Sequence, residues 1–179
     1  YSVRKELTSH KILEERLEQL AFYDVLTGCQ SREVARKVMA DYYEDGIPFY
    51  VYFVDLNNLK LVNDTLGHDA GDRYLAAVAH ALQDVAGTND VVSRYGGDEF
   101  LLITPKDGNE RVRAGMENAR WALKELSNSS EYPFELWVSY GIAYSDECGD
   151  LEGLMKLVDD RMYENKRRDK QEKSRGSIS

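Results

Sequence analysis

The sequence predicts a mixed α/β domain of the split βαβ, ferredoxin-like kind, and three observations carry that expectation. Phe49-Tyr50-Val51-Tyr52-Phe53-Val54-Asp55 is a continuous apolar run, too short for a helix and rich in aromatic and β-branched residues, which reads as a strand buried on both faces. Val91-Val92-Ser93-Arg94-Tyr95 and Phe100-Leu101-Leu102-Ile103 flank Gly96-Gly97, which reads as a hairpin whose glycines supply the positive φ of a two-residue turn. Between and after these runs lie two apolar stripes at helical spacing, so the order is β-α-β-β-α-β.

The elements follow in turn. Residues 5 to 21 carry Leu13, Leu17 and Leu20 among many charges, a spacing that suits either a coiled-coil seam or a helix packed back on its own domain. A helix is expected from Ser31 to about Asp45, ended by Gly46 and Pro48. After the strand at 49–55, Leu75, Val78, Ala79, Leu82 and Val85 form one helical stripe, and beyond the hairpin Val112, Met116, Ala119, Leu123 and Leu126 form another. A strand from Phe134 to Ala143 and a helix from Leu151 to about Arg168 complete the order. The stripe residues are core and carry no chemistry.

The acids stand out against this frame. Asp98 and Glu99 sit at the hairpin tip and Asp55 closes the buried strand. Paired carboxylates on a rigid turn suit a hard divalent cation, which takes few protein oxygens and leaves its other positions to water and phosphates, although solvated acids also populate turns. Leu56 to Asp72 is dense in hydrogen-bonding side chains and contains two glycines, and reads as a ligand loop rather than a linker.

At these residues the chain resembles the GGDEF family of diguanylate cyclases. Three blocks carry the likeness: Asp24-Val25-Leu26-Thr27-Gly28; Asp55 to Asp72, with its lysine, Asn-Asp and Gly-His-x-x-Gly-Asp positions in register; and Arg94-Tyr95-Gly96-Gly97-Asp98-Glu99-Phe100. The resemblance covers residues 22–168. It implies a palm-like nucleotide-cyclase domain over that span, a signalling helix over 1–21 and a basic, flexible tail over 169–179.

What the resemblance implies about chemistry is specific. Two GTP molecules are joined into cyclic di-GMP with release of two pyrophosphates, in a homodimer in which each subunit presents one GTP. Asp55, the backbone carbonyl of Leu56 and Asp98 are the expected ligands of Mg2+ or Mn2+. Asp98 is the candidate general base, Lys60 the group that meets developing charge on the α-phosphate, and Glu99 an ion ligand or a brace for the turn. Lys166 and Lys170 are expected on the terminal phosphates, Lys170 standing where the family usually has an arginine and so lacking its bidentate fork. Asn63 and Asp72 are expected to read the base, since a carboxylate accepts from both N1–H and the 2-amino group of guanine and adenine offers neither. His68 is expected near the nucleotide.

The departures from the family pattern matter as well. Leu26-Thr27-Gly28 continues as Cys29-Gln30-Ser31-Arg32, with one arginine where two are common. The Arg-x-x-Asp product-inhibition motif is replaced by Gly87-Thr88-Asn89-Asp90, so tight product feedback there is not expected. The common Gly-Arg-Asn near the end is Asp169-Lys170-Gln171. A silent GGDEF module that binds GTP and serves regulation is the alternative, but such modules usually lose signature acids that this chain keeps.

Composition adds bounds. The 179 residues suit one domain with a short appendage. A net charge of -9 argues against nucleic acid as the main partner. The two cysteines, Cys29 and Cys148, lack metal spacing and fit a reduced, cytoplasmic setting. No apolar run approaches a membrane span. The first residue is Tyr1 rather than Met, as expected of part of a longer protein with an upstream sensor.

Overall fold

A four-stranded antiparallel sheet in the order β2-β3-β1-β4 forms the middle of the molecule. The computed structural model describes residues 2–176. In chain order the elements are α1 (Ser2–Phe22), α2 (Arg32–Glu44), β1 (Phe49–Leu56), α3 (Leu59–Leu66), α4 (His68–Val85), β2 (Val91–Arg94), β3 (Glu99–Pro105), α5 (Asn109–Leu126), β4 (Val138–Tyr144) and α6 (Leu151–Gly176). The sheet with α3 to α6 is the expected split βαβ arrangement, with β3 inserted between β1 and β2.

Period-two alternation in β1 divides the core into two layers. Tyr52, Val54 and Leu56 face α4 and α5, where they pack with Tyr74, Leu82 and Met116. Phe49, Val51 and Phe53 face the other way and meet Ala35 and Met39 of α2 and Leu154, Val158 and Met162 of α6. With helices on both faces neither side of β1 meets water, which is why its sequence is an unbroken apolar run.

Both sheet edges are closed, removing the free strand edge that invites aggregation. Gln30 lies along β2, its N–H donating to Val92 and its carbonyl accepting from Arg94. On the outer side of β4, Asn165 accepts from Tyr140 N–H, Arg161 donates to the Ile142 carbonyl and Glu147 accepts from Tyr144 N–H.

The structure corrects several expectations. The hairpin turn has four residues, Tyr95 to Asp98, with Tyr95 and Gly96 N–H both donating to Glu99. Neither Gly96 nor Gly97 is among the positive-φ glycines, which are Gly28, Gly46 and Gly67. At Gly96 the Glu99 carboxylate folds close over the backbone, so that a Cβ there would meet Glu99 Oε2 at 2.5 Å and the side chain would have to shift. The supposed ligand loop is two helices, α3 and α4, separated by Gly67 at φ 87°.

Phe134 to Trp137 is not strand: Leu136 N–H donates to Ser127 Oγ and Trp137 N–H to the Tyr74 hydroxyl, so these amides are used outside the sheet. Leu126, expected in the α5 stripe, is exposed. The last helix continues beyond Arg168 to Gly176, because Asp169 is hydrogen-bonded to the body of the domain. The tail expected to be flexible is therefore helical as far as Gly176, and its residues 177–179 lie outside the described residues.

The first helix settles an open alternative. Leu7, Leu13, Leu17 and Leu20 are each more than half exposed, so α1 does not lay its stripe on its own domain.

The tightest contact between sheet and helix is at Gly141 of β4, where a Cβ would lie 2.4 Å from Met162 N and from the Val158 carbonyl oxygen of α6. Both are backbone atoms, so no rotamer change relieves the clash. Gly141→Ala is expected to cost about 2–3 kcal/mol of stability in urea unfolding, and an unchanged midpoint would contradict this close packing.

Candidate active site

The rim where β1 ends gathers the acidic residues. Asp55 is 6% exposed and pairs across the sheet with Glu99 on one side and Ser139 on the other. The next residue, Leu56, donates its N–H to the backbone carbonyl of Asp98 at 3.0 Å. That bond joins the end of the buried strand to the hairpin tip and places the Asp55, Asp98 and Glu99 carboxylates in one another's fields.

The electrostatics bear this out. Burial pushes the Asp55 carboxyl above the ordinary range; the Lys166 ammonium, in contact with Asp55, pulls it back and the Asp98 charge pushes it up again. Glu99 is raised by burial and then by Asp98, Asp55 and Asp159. Concentrated negative charge of this kind favours a cation.

Among the described residues no three His, Cys, Asp or Glu side chains form a metal cluster. Two carboxylates and a main-chain carbonyl are nevertheless a hard-oxygen set of the size Mg2+ uses when phosphates and water supply the rest. The residues present therefore fit such an ion, with Asp55, Asp98 and the Leu56 carbonyl as the available donors. Glu99 bends its carboxylate back over Gly96, the position of a brace.

Beside the acids lies a cleft of about 460 Å3 whose lining includes Lys60, Asn63, His68, Asp72, Arg94 and Asp98. Five of the six residues singled out from the α3–α4 segment and the hairpin thus converge on one concavity, and Glu99 is not in its lining. Asn58, at φ 63°, turns the chain out of β1 and into α3, so Lys60 follows within one turn and Asn63 within the next. Gly67 starts a second helix at His68, and Asp72 follows one turn later.

Asn63 lies against Gly71, where a Cβ would stand 1.8 Å from its Oδ1. The glycine in this helix is thus explained by the close approach of a polar side chain. Lys166 reaches the acids from α6 through Asp55. Lys170, one turn further along α6, is exposed and does not line the cleft.

Arg94 is the member that spacing alone did not assign a role. Its Nη2 donates to the Gly97 carbonyl at 2.9 Å and its Nη1 to Asp24 at 3.2 Å. Asp24 also accepts from Thr27 N–H and Oγ. The opening turn and the hairpin are therefore one clamped unit. Its signal in the sequence was an arginine in a short strand directly before a glycine turn. Tyr95 fixes the other side, stacking under Arg32 at 4.6 Å and accepting from Arg36.

A larger concavity, about 770 Å3, lies elsewhere, between α4 and α5, and is lined chiefly by small apolar residues such as Ala77, Ala81, Gly115 and Ala122. Size does not mark the chemistry here; convergent polar groups do.

Comparison with known proteins places the chain in a family. A family model described as "Diguanylate cyclase, GGDEF domain" matches residues 21–172. The Escherichia coli K12 protein named diguanylate cyclase DgcM is 30% identical over 165 residues, which cover 90% of this chain and 40% of that protein. The chain thus spans less than half the length of that relative. A protein of Shewanella oneidensis named cyclic di-GMP phosphodiesterase PdeB is 36% identical over 101 residues, 56% of this chain and 12% of its own length. Among solved structures, the coiled coil and GGDEF domain of DgcB from Caulobacter crescentus in complex with c-di-GMP superposes with a TM-score of 0.76 at 27% identity, covering 93% of each chain.

The Asp24–Arg94 clamp has a testable pH dependence. Burial raises the Asp24 carboxyl, but hydrogen bonds from Thr27 and the Arg94 charge outweigh it and leave the carboxyl below its ordinary value. A lowered folded-state value gives stability that is complete above the unfolded value of about 4 and is lost as pH falls through the folded one. Wild type is expected to exceed Asp24→Asn in stability at neutral pH, with the difference closing in acid. A pH-independent difference in chemical unfolding would contradict the ionic origin.

Proposed function

Because the chain belongs to the GGDEF domain family, we propose that it is a diguanylate cyclase that condenses two GTP into cyclic di-GMP and two pyrophosphates. One observation carries the proposal: Lys60, Asn63, His68, Asp72 and Asp98 line a single cleft whose wall is tied to Asp55 and Leu56. The reaction forms a bond from each 3'-oxygen to the α-phosphorus of the other nucleotide and breaks that phosphorus's bond to the bridging oxygen, releasing pyrophosphate.

In this reading Asn63 and Asp72 orient guanine, and His68 lies between them and the phosphates. Lys60, exposed on the first turn of α3, meets charge that develops on the α-phosphate. Asp98 accepts the proton of the attacking hydroxyl, its turn held by Leu56 N–H, by Arg94 and by the Glu99 brace. Asp55, Asp98 and the Leu56 carbonyl would hold a divalent ion, Mg2+ or Mn2+, whose chemistry is to neutralise phosphate charge and acidify the hydroxyl. Lys166 and Lys170 serve the terminal phosphates.

Each subunit offers one nucleotide, so two copies must face each other. The exposed leucine stripe of α1 supports a paired, coiled-coil helix as the means of bringing them together. Among the described residues no helix is long and apolar enough to cross a membrane, and a cytoplasmic setting, where GTP is made, suits the substrate. An upstream sensor would act through α1.

Incubating concentrated protein with GTP and Mg2+, and with a GTP and ATP mixture, should yield cyclic di-GMP as the main product by chromatography with mass detection. Asp98→Ala should abolish it. GTP binding without product, even in chains forced into dimers, would instead establish a regulatory GTP-binding module.

Product feedback should be weak. Asp90 Oδ2 is already used within the domain, accepting from Gly87 N–H at 2.7 Å and from the Arg111 guanidinium, which also donates to the Val85 carbonyl. Titration with cyclic di-GMP is expected to show no submicromolar binding that depends on Asp90; such binding, abolished in Asp90→Ala, would overturn this.

A further inference from the structure

Asp169 of α6 is the meeting point of three elements. Its carboxylate accepts from Ser139 Oγ of β4 at 2.7 Å, from Trp137 Nε1 at 3.1 Å and from Arg120 Nη2 of α5 at 3.2 Å. Its side chain is 12% exposed and that of Arg120 10%. Arg120 in turn lies 4.1 Å over the Trp137 ring. Ser139 accepts from Asn57 Nδ2 at 3.1 Å, and Asn57 N–H donates to the Trp137 carbonyl at 2.9 Å. The chain from Asp169 therefore runs through Ser139 into the first residue after Leu56, where β1 leaves the sheet.

Two features make this more than a packing contact. Ser139 is the cross-strand partner of Asp55, so α6 touches adjacent sites on the rim twice, Lys166 on Asp55 and Asp169 on Ser139. Residues 166, 169 and 170 also share one face of a helix, being three and four apart. Anchoring Asp169 therefore fixes the rotation and height of the turn that carries both lysines. Free lysine side chains are flexible, so an ordered helix beneath them reduces what binding must immobilise.

We propose that Asp169 is a positioning residue for the nucleotide's terminal phosphates, acting through α6 by holding Lys166 and Lys170 in register with the exit of β1. The inference rests on the cyclase reading above, in which those lysines meet the β- and γ-phosphates. Without the carboxylate, Trp137 Nε1 loses its acceptor, Ser139 Oγ is left with Asn57 Oδ1 at 3.2 Å, and the buried Arg120 is left with Glu117 at 3.6 Å and the Trp137 and Tyr140 rings. Further along, α6 is tied again at Lys173, which pairs with Glu135, so it is the turn carrying Lys166 and Lys170 that loses its anchor.

The test separates phosphate positioning from general destabilisation. Affinities for GMP and for a GTP analogue with a methylene α–β bridge are measured by isothermal titration with Mg2+ for wild type, Asp169→Ala and Asp169→Asn. GMP lacks the terminal phosphates and reports on base reading and the α-phosphate alone. Asp169→Ala should weaken the analogue about tenfold and leave GMP within about twofold. Asp169→Asn, which keeps one acceptor oxygen but not the charge facing Arg120, should weaken the analogue alone by about threefold, and gives the same readout should the alanine variant not fold. Equal losses for both ligands, or no loss for either, would overturn the inference while leaving the cyclase reading standing. A wild type that binds the analogue no more tightly than GMP would remove the premise that α6 serves the terminal phosphates, and the inference with it.

Discussion

The hydrogen bond from Leu56 N–H to the Asp98 carbonyl is the constraint on which the site depends. A buried strand and a hairpin tip are joined at their ends, and the carboxylates of Asp55, Asp98 and Glu99 are left in one small volume. Separately, each acid is a residue at the end of an element. Together they repel, and that repulsion adds to the burial that chiefly raises both Asp55 and Glu99. The fold tolerates that cost because Lys166 offsets part of it, and because the β1–β3 ladder holds the backbone over seven paired positions regardless of side-chain charge.

Around that junction the two faces of the sheet divide the work. The face covered by α4 and α5 leads through Asn58 and Gly67 to the residues that line the cleft, so most of its polar lining comes from the helices directly after β1. The opposite face, under α2 and α6, brings cationic and aromatic groups. Arg32 and Arg36 hold Tyr95, and α6 delivers Lys166. Arg94 ties the hairpin to the opening turn from the edge of the sheet. The hairpin is thus braced from several directions, which fixes where the Asp98 carboxylate stands relative to the cleft.

How much of this was legible in the sequence depends on how local its causes are. The unbroken apolar run of β1 announces burial on two faces because each residue reports its own environment. The stripes of α4 and α5 are equally plain, save for Leu126, where the helix ends and the stripe runs out into solvent. The segment from Leu56 to Asp72 was misread as a loop because Asn, Asp and Gly are poor helix formers; the polar residues serve the cleft, and Gly71 serves Asn63, so function displaced propensity. The hairpin glycines were legible as a turn but not as to type, since neither takes the positive φ that a two-residue turn would need. Asp169 showed only as a departure from the family pattern and not as an anchor, because its partners lie 30 to 49 residues away in sequence.

If the cyclase reading holds, the monomer is half of a catalyst, and the physical obstacle to completing it is charge. Each copy carries a net charge of -9, and each would bring a nucleotide triphosphate to the same place. Long-range repulsion between such particles slows encounter and weakens unspecific association. Apolar burial is not opposed in this way, since it depends on area removed from water rather than on charge. The leucines of α1 are exposed along a helix that makes no core of its own, and joining two such helices would supply attraction away from the acidic rims. With that attraction on α1 and the acids at the end of β1, pairing would bring two clefts together without altering the residues that line them.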